Sequence, residues 1–297
     1  MTSRLPLLEA LRTQLLLCDG AMGTQLMALG LAPGASGMLL NVDWPEAVRS
    51  IHAAYRSAGC DLITTNSFGG TRTALDLHGA GNRVAELNHA AAALARAAAG
   101  PEAWVLGDVG PFGGFLEPLD EMEAEELEAL FAEQIAALAG GGADALLIET
   151  MVDPAEVEVA LRAAAIVAPS LPRIVTFAFQ IAAPGQFRTI MGTSPEQAVC
   201  AAREAGAHVI GANCGTGLGF ADYLALAREL VAAAGAMPVI LQPNAGAPRM
   251  EGERCHYDAG PAEFAAALAD LRALGVRVVG GCCGTTPEHL AAAAATG

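Results

Sequence analysis

Short apolar runs return along the chain roughly every 30 to 40 residues: Leu15–Asp19, Asp61–Asn66, Trp104–Asp108, Ala145–Glu149, Ile174–Phe179, His208–Asn213, Val239–Asn244 and Val276–Gly281. Each is rich in Val, Ile or Leu and shows little polar alternation, the pattern of a strand covered on both faces. Longer stretches of helical character, many of them Ala-rich, lie between them. Asp153-Pro154-Ala155-Glu156 and Ser194-Pro195-Glu196-Gln197 each supply an N-cap, a proline in the first turn and a capping-box acid or amide; Thr286-Pro287-Glu288 starts a helix in a similar way. Ala58-Gly59, Ala205-Gly206 and Leu274-Gly275 mark helix ends before strands. Strand and helix alternating eight times predict an α/β fold, a single (β/α)8 TIM barrel spanning residues 1–297 as one domain. A doubly wound open sheet is the alternative. The count of eight favours the barrel, as does the gathering of polar residues at one end of the runs.

Those polar ends are Cys18-Asp19-Gly20, Thr64-Thr65-Asn66, Gly107-Asp108, Glu149-Thr150, Asn213-Cys214, Pro243-Asn244 and Gly281-Cys282-Cys283. In a barrel the carboxyl ends of all strands meet on one face, where active sites sit. No Pro-, Ser- or charge-rich linker divides the chain. The acidic run Glu117–Glu128, with seven acids, reads as a solvated loop and helix start.

Composition narrows the chemistry. The 297 residues carry a formal net charge of −16, which disfavours nucleic acid and anionic membrane surfaces as partners. All 16 basic residues are arginine, so lysine Schiff-base chemistry is excluded. Glu9 and Arg12 interrupt the apolar amino terminus, which therefore does not read as a signal peptide, and no run is long enough to span a membrane. Seven cysteines without an export signal suit a reducing compartment, and a cytoplasmic location is expected.

Cys282 and Cys283 follow the last strand directly, and Cys214 follows the sixth. Three soft thiolates on one barrel face would suit zinc. A structural zinc takes four protein ligands, whereas three leave a position for substrate. Two other readings stand beside this one. A lone cysteine is most often a buried apolar residue, the role expected for Cys18, Cys60, Cys200 and Cys255. A Gly-rich eighth loop can cradle phosphate, although bulky thiols at its centre argue against that here. None of the six histidines falls at a strand's carboxyl end, so none is assigned as a ligand.

The motifs Asp19-Gly20-Ala21-Met22-Gly23-Thr24, Thr64-Thr65-Asn66-Ser67-Phe68-Gly69, Gly107-Asp108-Val109-Gly110-Pro111, Ile148-Glu149-Thr150, Gly211-Ala212-Asn213-Cys214, Pro243-Asn244-Ala245-Gly246 and Gly280-Gly281-Cys282-Cys283-Gly284-Thr285-Thr286-Pro287-Glu288-His289 run through nearly the whole chain. With them the sequence resembles the homocysteine S-methyltransferase family, most closely the homocysteine-binding barrel of its cobalamin-dependent methionine synthase branch. The resemblance implies that Cys214, Cys282 and Cys283 bind zinc, that homocysteine sulfur joins them, and that Asp19 and Glu149 grip the substrate's amino group. Helix N-caps or ion pairs at the barrel mouth are the alternative roles for these two acids. The backbone of Gly20–Thr24 is a candidate cradle for the carboxylate. Asn66 and Asn213 are candidate donors nearby. The Asn244 amide oxygen is a candidate fourth zinc ligand when substrate is absent.

For the methyl donor, a betaine cage needs aromatic side chains. Gly69 and Thr150 stand where betaine-using relatives carry tyrosine, and Trp44, before Pro45, reads as a packing residue. The Thr64–Gly70 segment resembles the cobalamin-dependent branch. The chain runs only eight residues past His289, so methylcobalamin is expected on a separate corrinoid protein. S-methylmethionine or another sulfonium is the alternative donor. A different thiol acceptor such as coenzyme M, which lacks an ammonium, would have no use for two acids.

Overall fold

The computed structural model describes residues 4–251 and 254–296. Eight parallel strands form the central sheet: β1 (Leu16–Leu17), β2 (Leu62–Thr64), β3 (Trp104–Val109), β4 (Ala145–Met151), β5 (Arg173–Phe177), β6 (Val209–Asn213), β7 (Val239–Gln242) and β8 (Val278–Val279). Each pairs with its sequence neighbour, and β8 pairs with β1. A parallel bridge from Cys18 to Leu62 joins β1 to β2, with Asp61 N–H donating to Leu17 O at 2.7 Å. The result is the (β/α)8 barrel the alternation predicts.

Two layers of apolar side chains hold it. Leu16, Cys18, Leu62, Leu106, Leu147, Ile174, Val209, Ile240 and Val278 fill the interior. Leu7, Ala10 and Leu11 join the same cluster, from the short helix Leu7–Ala10 and the residue after it. Arg4 bonds to Ala103 O and Asp144 beside this plug, and Asp144 also receives Arg96 at 2.5 Å. The second and larger layer lies between strands and outer helices. Its alanines, such as Ala92, Ala95, Ala160 and Ala164, let the helices approach closely.

The helix starts form as their sequences dictate. Asp153 Oδ1 accepts from Ala155 N–H at 2.9 Å ahead of the helix Pro154–Val167. Ser194 and Gln197 make a reciprocal capping box. In the last helix, Pro287–Ala295, His289 takes the place of the acid or amide: its Nδ1 accepts from Thr286 N–H, and its Nε2–H donates to Ala259 O at 2.8 Å. The acidic segment forms an exposed loop leading into the helix Ala124–Gly140. Among the described residues, no helix is long and apolar enough to cross a membrane.

Several features differ from the sequence reading. The run Ile174–Phe179 ends as a barrel strand at Phe177 and gives way to an antiparallel hairpin, Gln180–Ala183 with Gln186–Arg188. A second hairpin, Arg249–Glu251 with Arg254–His256, follows β7. Both lie in loops on the carboxyl face, where insertions leave the barrel ladder untouched. Cys18 and Cys60 are buried as expected, whereas Cys200 is exposed on the helix Pro195–Glu204, and the Cys255 side chain lies outside the described residues. Trp44 is 45% exposed rather than packed.

Glu156, in the first turn of the helix Pro154–Val167, is buried and accepts Phe112 N–H at 2.8 Å, tying the loop after β3 to this helix. Burial pushes its carboxyl up to about 7. A group raised in the fold contributes stability that is full below its ordinary value near 4.5 and is lost as pH rises through about 7. Glu156→Gln keeps the acceptor and removes the charge. It should therefore stabilise the protein by about 3 kcal/mol relative to wild type above pH 7, with the gain gone by about pH 4.5. Paired thermal melts across that range check it; a pH-independent difference would refute it.

Candidate functional site

A cavity of about 530 Å³ opens at the carboxyl ends of the strands. Its walls include the Gly20–Thr24 turn, Thr64–Gly69, Asp108, Glu149, Thr150 and the cysteines Cys214, Cys282 and Cys283.

The three cysteines arrive from two strands. Cys214 follows β6 with φ +54, a left-handed conformation that costs a non-glycine residue energy. Its neighbours over-determine that conformation. Cys214 N–H donates to Gln242 O at 3.3 Å, and the Tyr223 hydroxyl donates to Cys214 O. The only other non-glycine residue with positive φ among those described is Thr150, at +62, on the same cavity wall. Cys282 and Cys283 lie on the turn after β8. Cys282 N–H donates to Pro243 O at 2.9 Å, and Cys283 O accepts Ala245 N–H at 3.0 Å. The loop after β7 thus clamps the double cysteine, and Gly284 is required beside it, because a Cβ there would lie 2.3 Å from the Tyr257 ring.

All three Sγ atoms lie within 4.8 Å of one another, with Cys282 and Cys283 at 3.9 Å. Tetrahedral zinc with Zn–S bonds near 2.3 Å calls for S···S separations of about 3.8 Å, so the donor set fits that ion in size and softness. Cys282 and Cys283 thiols donate to Cys214, which lowers its thiol, while Cys282 is raised by the same bond. Asn244 reinforces Cys214 and donates to Gly215 O at 3.5 Å, while its buried Oδ1 has no partner.

The acids divide into two settings. Glu149 is half-buried on the cavity wall, and burial, then Cys283 and Asp19, raise its carboxyl. Asn213 connects it to the sulfur cluster: Nδ2 donates to Glu149 Oε2 at 3.3 Å, Thr150 Oγ1 at 2.7 Å and Cys282 Sγ at 3.8 Å, and Oδ1 accepts from Thr150 N–H and Thr176. Asp19 is only 2% exposed and is not part of the cavity wall. Its carboxylate accepts Thr64 N–H and Thr64 Oγ1, both at 2.8 Å, and burial pushes it up to about 7 against the pull of those bonds. Neither acid caps a helix or forms an ion pair among the described residues.

Other expected residues are placed as follows. Gly20 and Thr24 line the cavity, and Thr24 Oγ1 has no partner. Ala21 N–H is already taken by Thr285 Oγ1 at 3.0 Å. Asn66 also lines the cavity, yet both hydrogens of its amide go to Gly37 O and Asn41 Oδ1, so it braces the loop and has no donor left for a substrate. The sequence reading did not single out Tyr257, which donates to Cys283, or Asp108, a buried acid on the wall. The position of Asp108 at a strand's carboxyl end was the available signal for it; Tyr257 follows a hairpin whose fold the strand count does not reveal.

The comparisons with known proteins agree with this geometry. The profile of the homocysteine S-methyltransferase family matches residues 16–296. The methionine synthases of Mycobacterium leprae and Mycobacterium tuberculosis are each 32% identical over 97% of this chain, which spans a quarter of their length. The homocysteine methyltransferase MmuM from Escherichia coli, solved in a metallated form, superposes with a TM-score of 0.80 at 26% identity, covering 99% of this chain and all of that one. A barrel carrying three converging thiols after β6 and β8, matched over nearly its whole length by that profile, belongs to the homocysteine S-methyltransferase family.

Proposed function

We propose that this chain, acting as one homocysteine-binding domain over residues 1–297, is a zinc-dependent methyltransferase that converts homocysteine to methionine. The methyl group would come from a corrinoid held by a separate protein. The observation that carries the reading is the trio of sulfurs within 4.8 Å on the wall of a cavity that also presents Glu149. Cys214, Cys282 and Cys283 would hold zinc, with the unpartnered Asn244 Oδ1 as a displaceable fourth ligand. Bound there, zinc supplies the positive charge that lets a thiol with an ordinary pKa near 8.5 persist as thiolate at neutral pH.

The residues of the chain do the rest. Glu149 accepts the substrate ammonium, and Asn213 holds Glu149 in line with the sulfurs. Asp19, locked by Thr64, adds negative charge behind that wall. The free N–H groups of the Gly20–Thr24 turn receive the carboxylate, Ala21 excepted. Met22, Leu26 and Phe68 give the cavity an apolar side that sheds water. The sulfur lone pair then forms the S–C bond while the methyl carrier departs with the electrons of the broken bond. The thiol proton has already left, so this step needs no general base. Phe68 is the one aromatic residue on the described wall, which disfavours a cage for betaine. Free thiols and a thiol substrate suit a reducing compartment such as the cytoplasm.

A donor screen tests the assignment. Zinc-loaded protein is mixed with homocysteine and, in turn, methylcobalamin, a methyl-corrinoid protein, S-methylmethionine and betaine, and methionine is measured. Methionine should form from the corrinoid donors, stop when a chelator removes zinc and return when zinc is restored. Formation from S-methylmethionine alone would transfer the donor role to a free sulfonium. No methionine from any donor would sink the activity.

A further inference from the structure

Asp108, the penultimate residue of the buried strand β3, carries a carboxyl oxygen without a partner. It is 3% exposed, lines the cavity, and its Oδ1 makes no hydrogen bond. Its backbone is fixed on both sides. Asp108 N–H donates to Thr65 Oγ1 at 2.9 Å, and its carbonyl accepts Ser67 Oγ at 2.7 Å and Gln134 Nε2 at 3.3 Å. The backbone therefore cannot shift to carry the carboxyl toward a partner elsewhere.

A buried carboxyl left unsatisfied costs stability unless a ligand completes it. Its electrostatic neighbours, Glu149 and Asp19, are both acids. Among the described residues no arginine lines the cavity, and the only basic side chain on its wall is His78, an exposed residue. Three converging acids with no arginine on the wall among the described residues leave room for a cationic ligand group. Asp108 also reaches the cavity wall where Asp19 does not, so the acids facing the ligand are Asp108 and Glu149.

We infer that Asp108 is a third carboxyl that binds the substrate's ammonium and makes the cavity selective for thiols carrying an amino cation. The inference rests on the homocysteine reading above and adds a specificity-determining residue to it. The ammonium has three N–H bonds to give; Asp108 and Glu149 accept from the cavity side, and Asp19 supports them from behind.

The test compares L-homocysteine with 4-mercaptobutanoate, which keeps the thiol and carboxylate and lacks the ammonium. Binding of each to the zinc-loaded full chain is measured by calorimetry. Wild type should prefer homocysteine. Asp108→Asn and Asp108→Ala should weaken homocysteine binding by about tenfold or more and leave 4-mercaptobutanoate within about twofold. Zinc content and melting temperature establish that each variant is folded. Unchanged homocysteine binding, or equal weakening of both thiols, overturns the role of Asp108 and leaves the homocysteine reading standing. Wild-type protein that binds both thiols equally also overturns the inference, whether or not the variants fold. Wild-type protein that binds neither thiol overturns the homocysteine reading and this inference with it.

Discussion

Cys283→Ser should lower methionine formation about a thousandfold or more, a loss of about 4 kcal/mol of transition-state stabilisation. A serine hydroxyl stays protonated at neutral pH and is a hard donor, so the variant offers two thiolates where zinc is suited by three. The fold should survive. The Cys283 carbonyl still accepts Ala245 N–H, Cys282 N–H still donates to Pro243 O, and Thr285 Oγ1 still donates to Cys282 O at 2.7 Å. Zinc per chain should fall together with activity while the far-ultraviolet circular dichroism stays as in wild type. Full zinc content with activity within about tenfold of wild type would remove Cys283 from the centre.

Much of this centre was legible in the sequence, because the barrel converts strand ends into neighbours. Once Cys214 was placed after the sixth run and Cys282–Cys283 after the eighth, their meeting at one face followed from topology. Glu149 was legible for the same reason. The distinction between Asp19 and Asp108 was not. Both are acids at strand carboxyl ends, and only the three-dimensional arrangement shows Thr64 taking both oxygens of the first while the second faces the cavity unpaired. Asn66 shows the converse: a strand-end amide reads as a ligand donor, yet its hydrogens go to Gly37 and Asn41. The two hairpins escaped because short strands in a loop have no fixed spacing to the barrel runs, and Tyr257 escaped with the second of them. Strand lengths were under-read at β3 and β4, which continue to Val109 and Met151, and over-read elsewhere. The five-residue run at Leu15–Asp19 is a regular strand only over Leu16–Leu17, with Cys18 adding a single bridge to Leu62.

The motif Gly211-Ala212-Asn213-Cys214 had a visible reason at its cysteine and a hidden one at its glycine. Gly211 lies opposite Ile240 in the β6–β7 ladder, and a Cβ on it would sit 1.7 Å from Ile240 O and 2.7 Å from Ile240 C. Both obstacles are backbone, in a strand held on its other side by β8, so no rotamer change relieves the clash. Gly211→Ala should therefore force β6 and β7 apart, at a cost of about 4 kcal/mol, and lower the melting temperature by roughly 10 °C. The damage should also reach the metal centre, because Asn213 and Cys214 follow on the same strand and Cys214 N–H depends on Gln242 O of β7. Zinc content should drop even at temperatures where the variant is still folded. Gly260→Ala is the control: nothing lies within 4 Å of its added methyl, and loss of a glycine N-cap should cost under about 1 kcal/mol. If Gly211→Ala melts within about 2 °C of wild type and keeps its zinc, the close approach of the two strands is not what holds Cys214 beside Cys282 and Cys283.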